Sequence, residues 1–231
     1  MTGIAEYKLV QTAAKGVLSE LAGTITSSDS ERTIAVRAIG LLADRGITET
    51  WYYECPALVL LGSRSCLSIS GRRYSPSDEL VGMTNLVTVD LSPQVNGIWG
   101  DCARSFFIEG GRCVSQPETL EFQRGCEAQR ALHAAMADFV RPDTTFDQLF
   151  CFANAKIVAL GYENLDFLGN LGHSIATTLD ERRYIEAGNT RRLDEVGLFT
   201  FEPHIRMIGG AWGIKHENVY HFGADGMVQE L

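Results

Sequence analysis

No run of 18 or more apolar residues occurs in the 231-residue chain, so no ordinary membrane-spanning helix is expected. A secretory leader is not expected either, because Glu6, Lys8, Lys15 and Glu20 interrupt the first stretch. A surplus of positive charge is missing too. Lys and Arg number 20 against 29 Asp and Glu, a net charge of −9 with a pI near 5.0. That balance argues against binding a nucleic-acid backbone or an anionic membrane surface. The six cysteines include no C-x-x-C pair and no framework spacing, so they read as small core residues of a protein in the reducing cytoplasm. Hydrophobic residues make up 45% and charged residues 21%, ordinary for a soluble globular enzyme, and the length suits one domain over residues 1–231.

The stretch TVDLSPQVNGIWGDCARSFFI, residues 88–108, organises the rest. Two strand-like runs flank a polar turn with a glycine, and Asp90 and Asp101 stand near its two ends. A hairpin here brings both carboxylates into one space, where they repel and need cations or a shared proton. Three more groups sit in similar apolar or Gly-rich settings: His173 in NLGHSIA, Glu202 in LFTFEPHI and Glu217 in IKHENVYHF. Side chains alternate along a strand. Asp90 therefore shares a face with Thr88 and Ser92, while Val87, Val89 and Leu91 face the other way. By the same rule Glu217 falls with Lys215, and Glu202 with Thr200 and roughly His204. Four carboxylates carry charge that two divalent cations balance, and oxygen ligands with one imidazole suit manganese, cobalt, iron or zinc.

Around these groups, residues 5–22 carry a helical apolar stripe, and Ser28 with Glu31 or Ser30 with Thr33 opens a helix over about 30–45 that ends at Gly46. One or two short strands follow in TWYYECPALVLLG, then a polar loop in SRSCLSISGRRYSPSD. FIEGGRCV signals a second hairpin. Helices are expected from about Pro117 to Val140 and from Thr144 or Thr145 to about Leu160, the latter closed by Gly161. Strands are expected at 171–178, 197–205 and 213–222, with a tight turn at Ala224–Gly226. A shift of 115 residues superposes the halves, pairing Ala13 with Ala128, Ile34 with Leu149, Leu42 with Ile157 and Gly46 with Gly161. The pattern predicts an α+β fold of two helix–helix–strand units, helices outside a curved antiparallel sheet.

Asp, Asp, His, Glu and Glu in this order and setting resemble the pita-bread metallopeptidases: methionine aminopeptidase, Xaa-Pro aminopeptidase and proline dipeptidase. The resemblance covers nearly the whole chain, and residues 58–91 read most like the catalytic domain of the Xaa-Pro branch, without the N-terminal creatinase-type domain of longer members. It implies two divalent ions, with Asp90 a terminal ligand of one, Asp101 and Glu217 bridging, and His173 and Glu202 on the second. Glu202 would also shuttle protons while a hydroxide between the ions attacks a peptide or amide carbonyl. It further implies a small peptide or amide-like substrate and a homodimer.

The chain departs from the family in the residues that handle substrate. A histidine of the motif resembling S-A-L-P-H-G is replaced, SCLSISG leaving Ile69 or Ser70 there. The histidine seven residues beyond the metal-binding one is Asp180, the usual threonine two after the second aspartate is Ala103, and the usual glycine after Glu-Pro is His204. Neither Ile, Ser nor Asp reproduces an imidazole that both donates and accepts. Ser70, Asp180 and Lys215 are thus candidates for substrate contact, and His204 for proton donation or substrate orientation. A non-peptide or modified small substrate on the same metal centre is the second reading.

Overall fold

Helices α1 (Ile4–Ala22) and α2 (Glu31–Ala43) form where the apolar stripe recurs at helical spacing, and both lay that stripe on one sheet. The structure, a computed structural model, describes residues 3–231. Ser30 and Thr33 cap α2 reciprocally, the Ser30 side chain accepting from the Thr33 amide and Thr33 Oγ1 accepting from the Ser30 amide. Gly46, at φ +77°, takes the left-handed turn beyond the helix.

The first half continues through β1 (Glu49–Thr50), β2 (Ala57–Leu61), β3 (Thr84–Leu91), β4 (Pro93–Val95), β5 (Ile98–Trp99), β6 (Cys102–Glu109) and β7 (Arg112–Val114). Strands β2, β3, β6 and β7 form an antiparallel sheet in that order, with Asp90 opposite Ala103 and Leu91 opposite Cys102. At the tip of the β3–β6 hairpin, β4 and β5 make a smaller hairpin joined by β1. Val87, Val89 and Leu91 of β3 are buried with Val17, Leu21, Ile34 and Leu42 of the helices, each such side chain contributing about 1.5–3 kcal/mol.

The second half repeats the plan with α3 (Leu120–Phe139), α4 (Phe146–Ala159), β8 (Tyr162–Asn164), β9 (Phe199–Phe201), β10 (His204–Met207), β11 (Gly213–Lys215), β12 (Asn218–Phe222) and β13 (Val228–Glu230). Thr145 caps α4 by the reciprocal arrangement that Ser30 uses on α2. A second core gathers Leu132, Phe146, Leu149, Ile157, Phe199, Phe201 and Ile205. Shifted by 115, β3 falls on 199–206, over β9 and β10, and β6 falls on 217–224, over β12. The central strand pair of each half therefore lies beside two of the four carboxylates. This is the α+β pita-bread architecture.

Three expected strands are more broken than their sequences suggest. Residues 171–178 form only isolated bridges, His173 to Tyr184 and Ser174 to Phe199, because the segment pairs alternately with two neighbours. The 197–205 run divides at Glu202-Pro203, where proline has no amide to give a ladder. The 213–222 run divides at His216-Glu217, where the chain leaves β10, bridges Arg104 of β6 and then joins β9. Each break falls at or beside a candidate site residue.

Candidate metal centre

Asp90 is the next-to-last residue of β3 on the face opposite the helices. Asp101 immediately precedes β6, and its backbone is clamped by Gln11 of α1: the Gln11 amide group donates to the Asp101 carbonyl at 2.6 Å, and its oxygen accepts from the Asp101 amide at 3.1 Å. Glu217 lies in the link between β11 and β12. Its amide donates to the Ala103 carbonyl at 3.0 Å, and the Arg104 guanidinium donates to its carbonyl and to Asn218 Oδ1. These restraints bring one carboxylate oxygen from each of Asp90, Asp101 and Glu217 within 4.8 Å of one another.

His173 arrives on the extended segment beside β9. Its amide donates to Thr200 Oγ1 at 2.9 Å, and the Thr200 amide donates to its carbonyl at 2.7 Å. The ring Nδ1 is 3.0 Å from the Ser174 carbonyl, which can only accept, so Nδ1 carries the hydrogen of the neutral ring. Nε2 then turns its lone pair to Asp101 Oδ2 at 3.4 Å and Glu202 Oε1 at 3.9 Å. The Trp51 ring meets the imidazole edge-on at 5.5 Å and stacks on Trp99 at 4.7 Å.

Lys215 occupies a place that face-sharing alone did not specify. Its Nζ is 2.7 Å from Asp90 Oδ2, 2.7 Å from Glu202 Oε2 and 3.5 Å from Glu217 Oε2. It stands inside the acidic cluster.

Burial and mutual repulsion dominate the electrostatics. Burial raises Asp101 to about 6 and drives Glu217 well above the usual carboxylate range, with Asp101 and Glu202 adding to the latter. Burial also opposes the charge of Glu202, but Lys215 and His173 outweigh it and hold that carboxyl low. Lys215 resists burial through Asp90, Glu202 and Glu217 and remains a fixed cation. Burial disfavours a charged His173, yet Asp101 and Glu202 prevail and raise it. Glu217 is 1% exposed, and neither of its carboxylate oxygens has a hydrogen-bond partner. Buried carboxyl oxygens without a hydrogen-bond donor, beside two more carboxylates and the Nε2 of an imidazole, suit a divalent cation.

The sequence pattern of metallopeptidase family M24 matches residues 5–223. The chain belongs to that family. Among curated relatives, a probable dipeptidase PepE of Mycobacterium bovis is 29% identical over 173 residues, covering 74% of this chain and 43% of the relative. An X-Pro aminopeptidase from Thermotoga maritima superposes with a TM-score of 0.80 at 19% identity, over 98% of this chain and 60% of that one. A methionine aminopeptidase from the same organism superposes at 0.76 and 13% identity, over 98% and 95%. The chain thus spans less than half the length of the curated relatives it matches.

Beside this M24 cluster lies a cavity of about 440 Å³, lined by Asp90, Asp101, His173, Glu202 and Lys215 among others. Ser70 lines it too, with its hydroxyl accepting from the Arg72 amide at 3.3 Å. Asp180 does not. A 3-10 turn over Leu179–Glu181 leaves it exposed and outside the lining, so the candidate substrate contact at Asp180 is not brought to the site. Arg182 and Tyr184, two and four residues on, line the cavity instead. His204 lines it as well, but its Nε2 is 2.6 Å from the Ser65 carbonyl and therefore bears the hydrogen of the neutral ring. Burial lowers its pKa to about 4. The ring's other nitrogen can accept but has no proton to give, which removes the expected donor role of His204 near neutral pH.

Gln11, Trp51, Arg182 and Tyr184 did not emerge from the sequence as site residues. Gln11 alone carried a local signal, a polar side chain in register with Ala14, Leu18 and Leu21 of the buried helical stripe.

Proposed function

We propose that this chain is a metal-dependent hydrolase that opens a peptide or amide bond in a small substrate. Asp90, Asp101, His173, Glu202 and Glu217 would hold up to two divalent ions. The observation that carries the reading is Glu217, whose two buried oxygens accept no hydrogen bond and stand among Asp90 and Asp101. Bound ions would supply a water acidified to a nucleophile at neutral pH and Lewis-acid polarisation of the carbonyl.

The chain's own groups do the rest. Glu202 Oε1, on the side of His173, accepts the proton shed by the attacking water, while Lys215 holds the other oxygen. The hydrogen bond from His173 Nδ1 to Ser174 keeps Nε2 turned toward the ligands. Trp51, stacked on Trp99, closes one wall against bulk water. At the same cavity the Arg182 guanidinium lies 5.5 Å from the Trp51 ring, 5.9 Å from Tyr52 and 5.2 Å from Tyr184. It forms no salt bridge among the described residues, and its Nε donates to the Leu179 carbonyl. A half-buried cation without an anion suits a substrate that brings a carboxylate, as a dipeptide does. The loss of both family histidines, with Ser70 or Ile69 at one position and Asp180 turned outward at the other, favours a second reading: a small acylated amino acid or other carboxylate-bearing amide rather than an X-Pro peptide.

The test is elemental analysis of the purified protein followed by a hydrolysis screen over X-Pro dipeptides, other dipeptides and N-acyl amino acids with Mn, Co, Fe and Zn. Absence of any bound or bindable divalent ion would end the proposal. Asp101→Ala and Glu217→Ala should lose more metal than Asp90→Ala, because each would contact both ions. Equal retention in the three variants would contradict the bridging roles.

A further inference from the structure

A second cavity, of about 320 Å³, lies on the far side of β11 from the carboxylate cluster. Two neighbours on the chain mark the division. Lys215 sends its ammonium among Asp90 and Glu202, while the His216 ring packs edge-on against His133 of α3 at 4.7 Å. Phe107, Cys126 and Ile214 give this cavity apolar walls. Gln129 of α3 ties the helix to the strands there, its Nε2 donating to the Pro203 and Ile214 carbonyls at 2.8 Å each, and its Oε1 is closed to solvent.

The polar groups left open in the lining are donors. Arg104 donates to Asn218 Oδ1 at 2.6 Å, which leaves the Asn218 amide nitrogen facing His216 Nε2 at 3.3 Å. His216 Nε2 therefore accepts, and Nδ1 carries the hydrogen of the neutral ring, with no hydrogen-bond partner among the described residues. Arg130, exposed on α3, lines the same cavity and makes no salt bridge or hydrogen bond among the described residues. The one carboxylate in the lining, Glu230, is already held by Lys15 at 2.6 Å. Both nitrogens of His133 are engaged, by the Tyr220 hydroxyl and the His216 carbonyl. Arg104 donates to two carbonyls and to Asn218, so its charge also lacks an anion.

We propose that this cavity is a second binding site, for a small organic acid. The carboxylate accepts from His216 Nδ1 and from the Arg130 guanidinium, and the apolar body of the acid lies on Phe107, Cys126 and Ile214. Two arginines without anions bias the cavity toward a negative ligand. Its volume is at the lower end of the range of about 300–1,000 Å³ for small-molecule sites, which suits a compact acid and leaves no room for a peptide. The proposal stands apart from the metal-centre reading, because none of the carboxylates of the cluster lines this cavity.

NMR titration of the full chain, with isotope-labelled isoleucine methyls and Zn²⁺ present, tests it with 4-methylpentanoate as the probe. Ile214 lines this cavity and Ile69 lines the one beside the carboxylate cluster, so each methyl reports on its own site. The Ile214 signal should move saturably, and 4-methylpentanamide, the same body without the charge, should leave it in place at equal concentration. Arg130→Gln should weaken binding by roughly threefold to fivefold, the scale of an ion pair at an exposed position. Cys126→Trp fills the space and should abolish the shift. Arg182→Gln should leave the titration unchanged. An Ile214 signal that stays in place up to the highest acid concentration would overturn the proposal. So would an equal response to the amide, or a titration unaltered by Arg130→Gln, a surface change that spares the fold. Movement of Ile69 alone, lost in Arg182→Gln, would put the acid beside the carboxylate cluster and overturn the second site as well.

Discussion

Gly172 approaches Thr200 so closely that a Cβ on the glycine would sit 2.3 Å from the Thr200 carbonyl oxygen and 2.8 Å from its Oγ1. The glycine also holds φ +138°, which residues with a side chain rarely adopt. That approach seats His173, because the next amide along donates to Thr200 Oγ1 and the His173 carbonyl receives the Thr200 amide.

Replacing Gly172 with Ala should therefore push the His173 segment away from β9. Strain of about 1–3 kcal/mol is expected from the backbone conformation alone, before the steric clash. Denaturant unfolding should show the loss, and metal affinity should fall beyond what the lost stability explains. Wild-type stability with wild-type metal binding in Gly172→Ala would show that the close approach does not seat the histidine.

Much of this arrangement could be read from local pattern. Alternation along β3 separated Asp90 from Val87, Val89 and Leu91 because that strand is paired on both sides and turns those three residues into the core of α1 and α2. Cap-type residues at Ser28 or Ser30 and at Thr144 or Thr145, with glycines at 46 and 161, marked the helix ends, and the structure puts the caps at Ser30 and Thr145, because capping is a matter of a few neighbouring residues. What escaped is non-local. Gln11 reaches Asp101 across 90 positions, and Lys215 reaches Asp90 across 125. A face-sharing rule placed Lys215 near Glu217 but could not show that its ammonium would enter the cluster. Asp180 failed for a different reason: spacing from His173 counts residues, and the 3-10 turn at Leu179–Glu181 redirects the chain.

Behind the site, His133 offers a pH test that does not depend on the metal ligands. Its Nε2 donates to the His216 carbonyl at 3.1 Å, and its Nδ1 accepts from the Tyr220 hydroxyl at 2.7 Å. Burial lowers its pKa to about 4, with nearby Arg104 reinforcing the shift, while the His216 carbonyl and Glu230 oppose it. The folded chain therefore binds fewer protons here than the unfolded chain between about pH 6.5 and pH 4. Its contribution to stability is complete above about pH 6.5 and is lost as the pH falls toward 4. His133→Gln should flatten the acid side of the stability profile by on the order of 2 kcal/mol. The slope between pH 4 and 6.5, measured by urea unfolding, decides it, and an identical slope in the variant would contradict the assignment.

Arg182 provides the test of substrate chemistry. Three aromatic rings surround its guanidinium, the cavity beside the carboxylates lies against it, and the Leu179 carbonyl receives its Nε. Rings steady a guanidinium without neutralising it, so the charge remains available to a ligand. A substrate carboxylate held by Arg182 leaves the scissile carbonyl toward Glu202 and His173, which line the same cavity. Substrates with a free carboxylate should accordingly be turned over with higher kcat/KM than the same compounds as primary amides. Arg182→Gln should narrow that preference by about tenfold or more, chiefly through KM, because a charge-assisted hydrogen bond to the ligand is lost while the reacting groups stay in place. Metal content should be unchanged in the variant. If Arg182→Gln lowers turnover of the acid and the amide equally, the guanidinium holds up the aromatic wall and does not read the substrate.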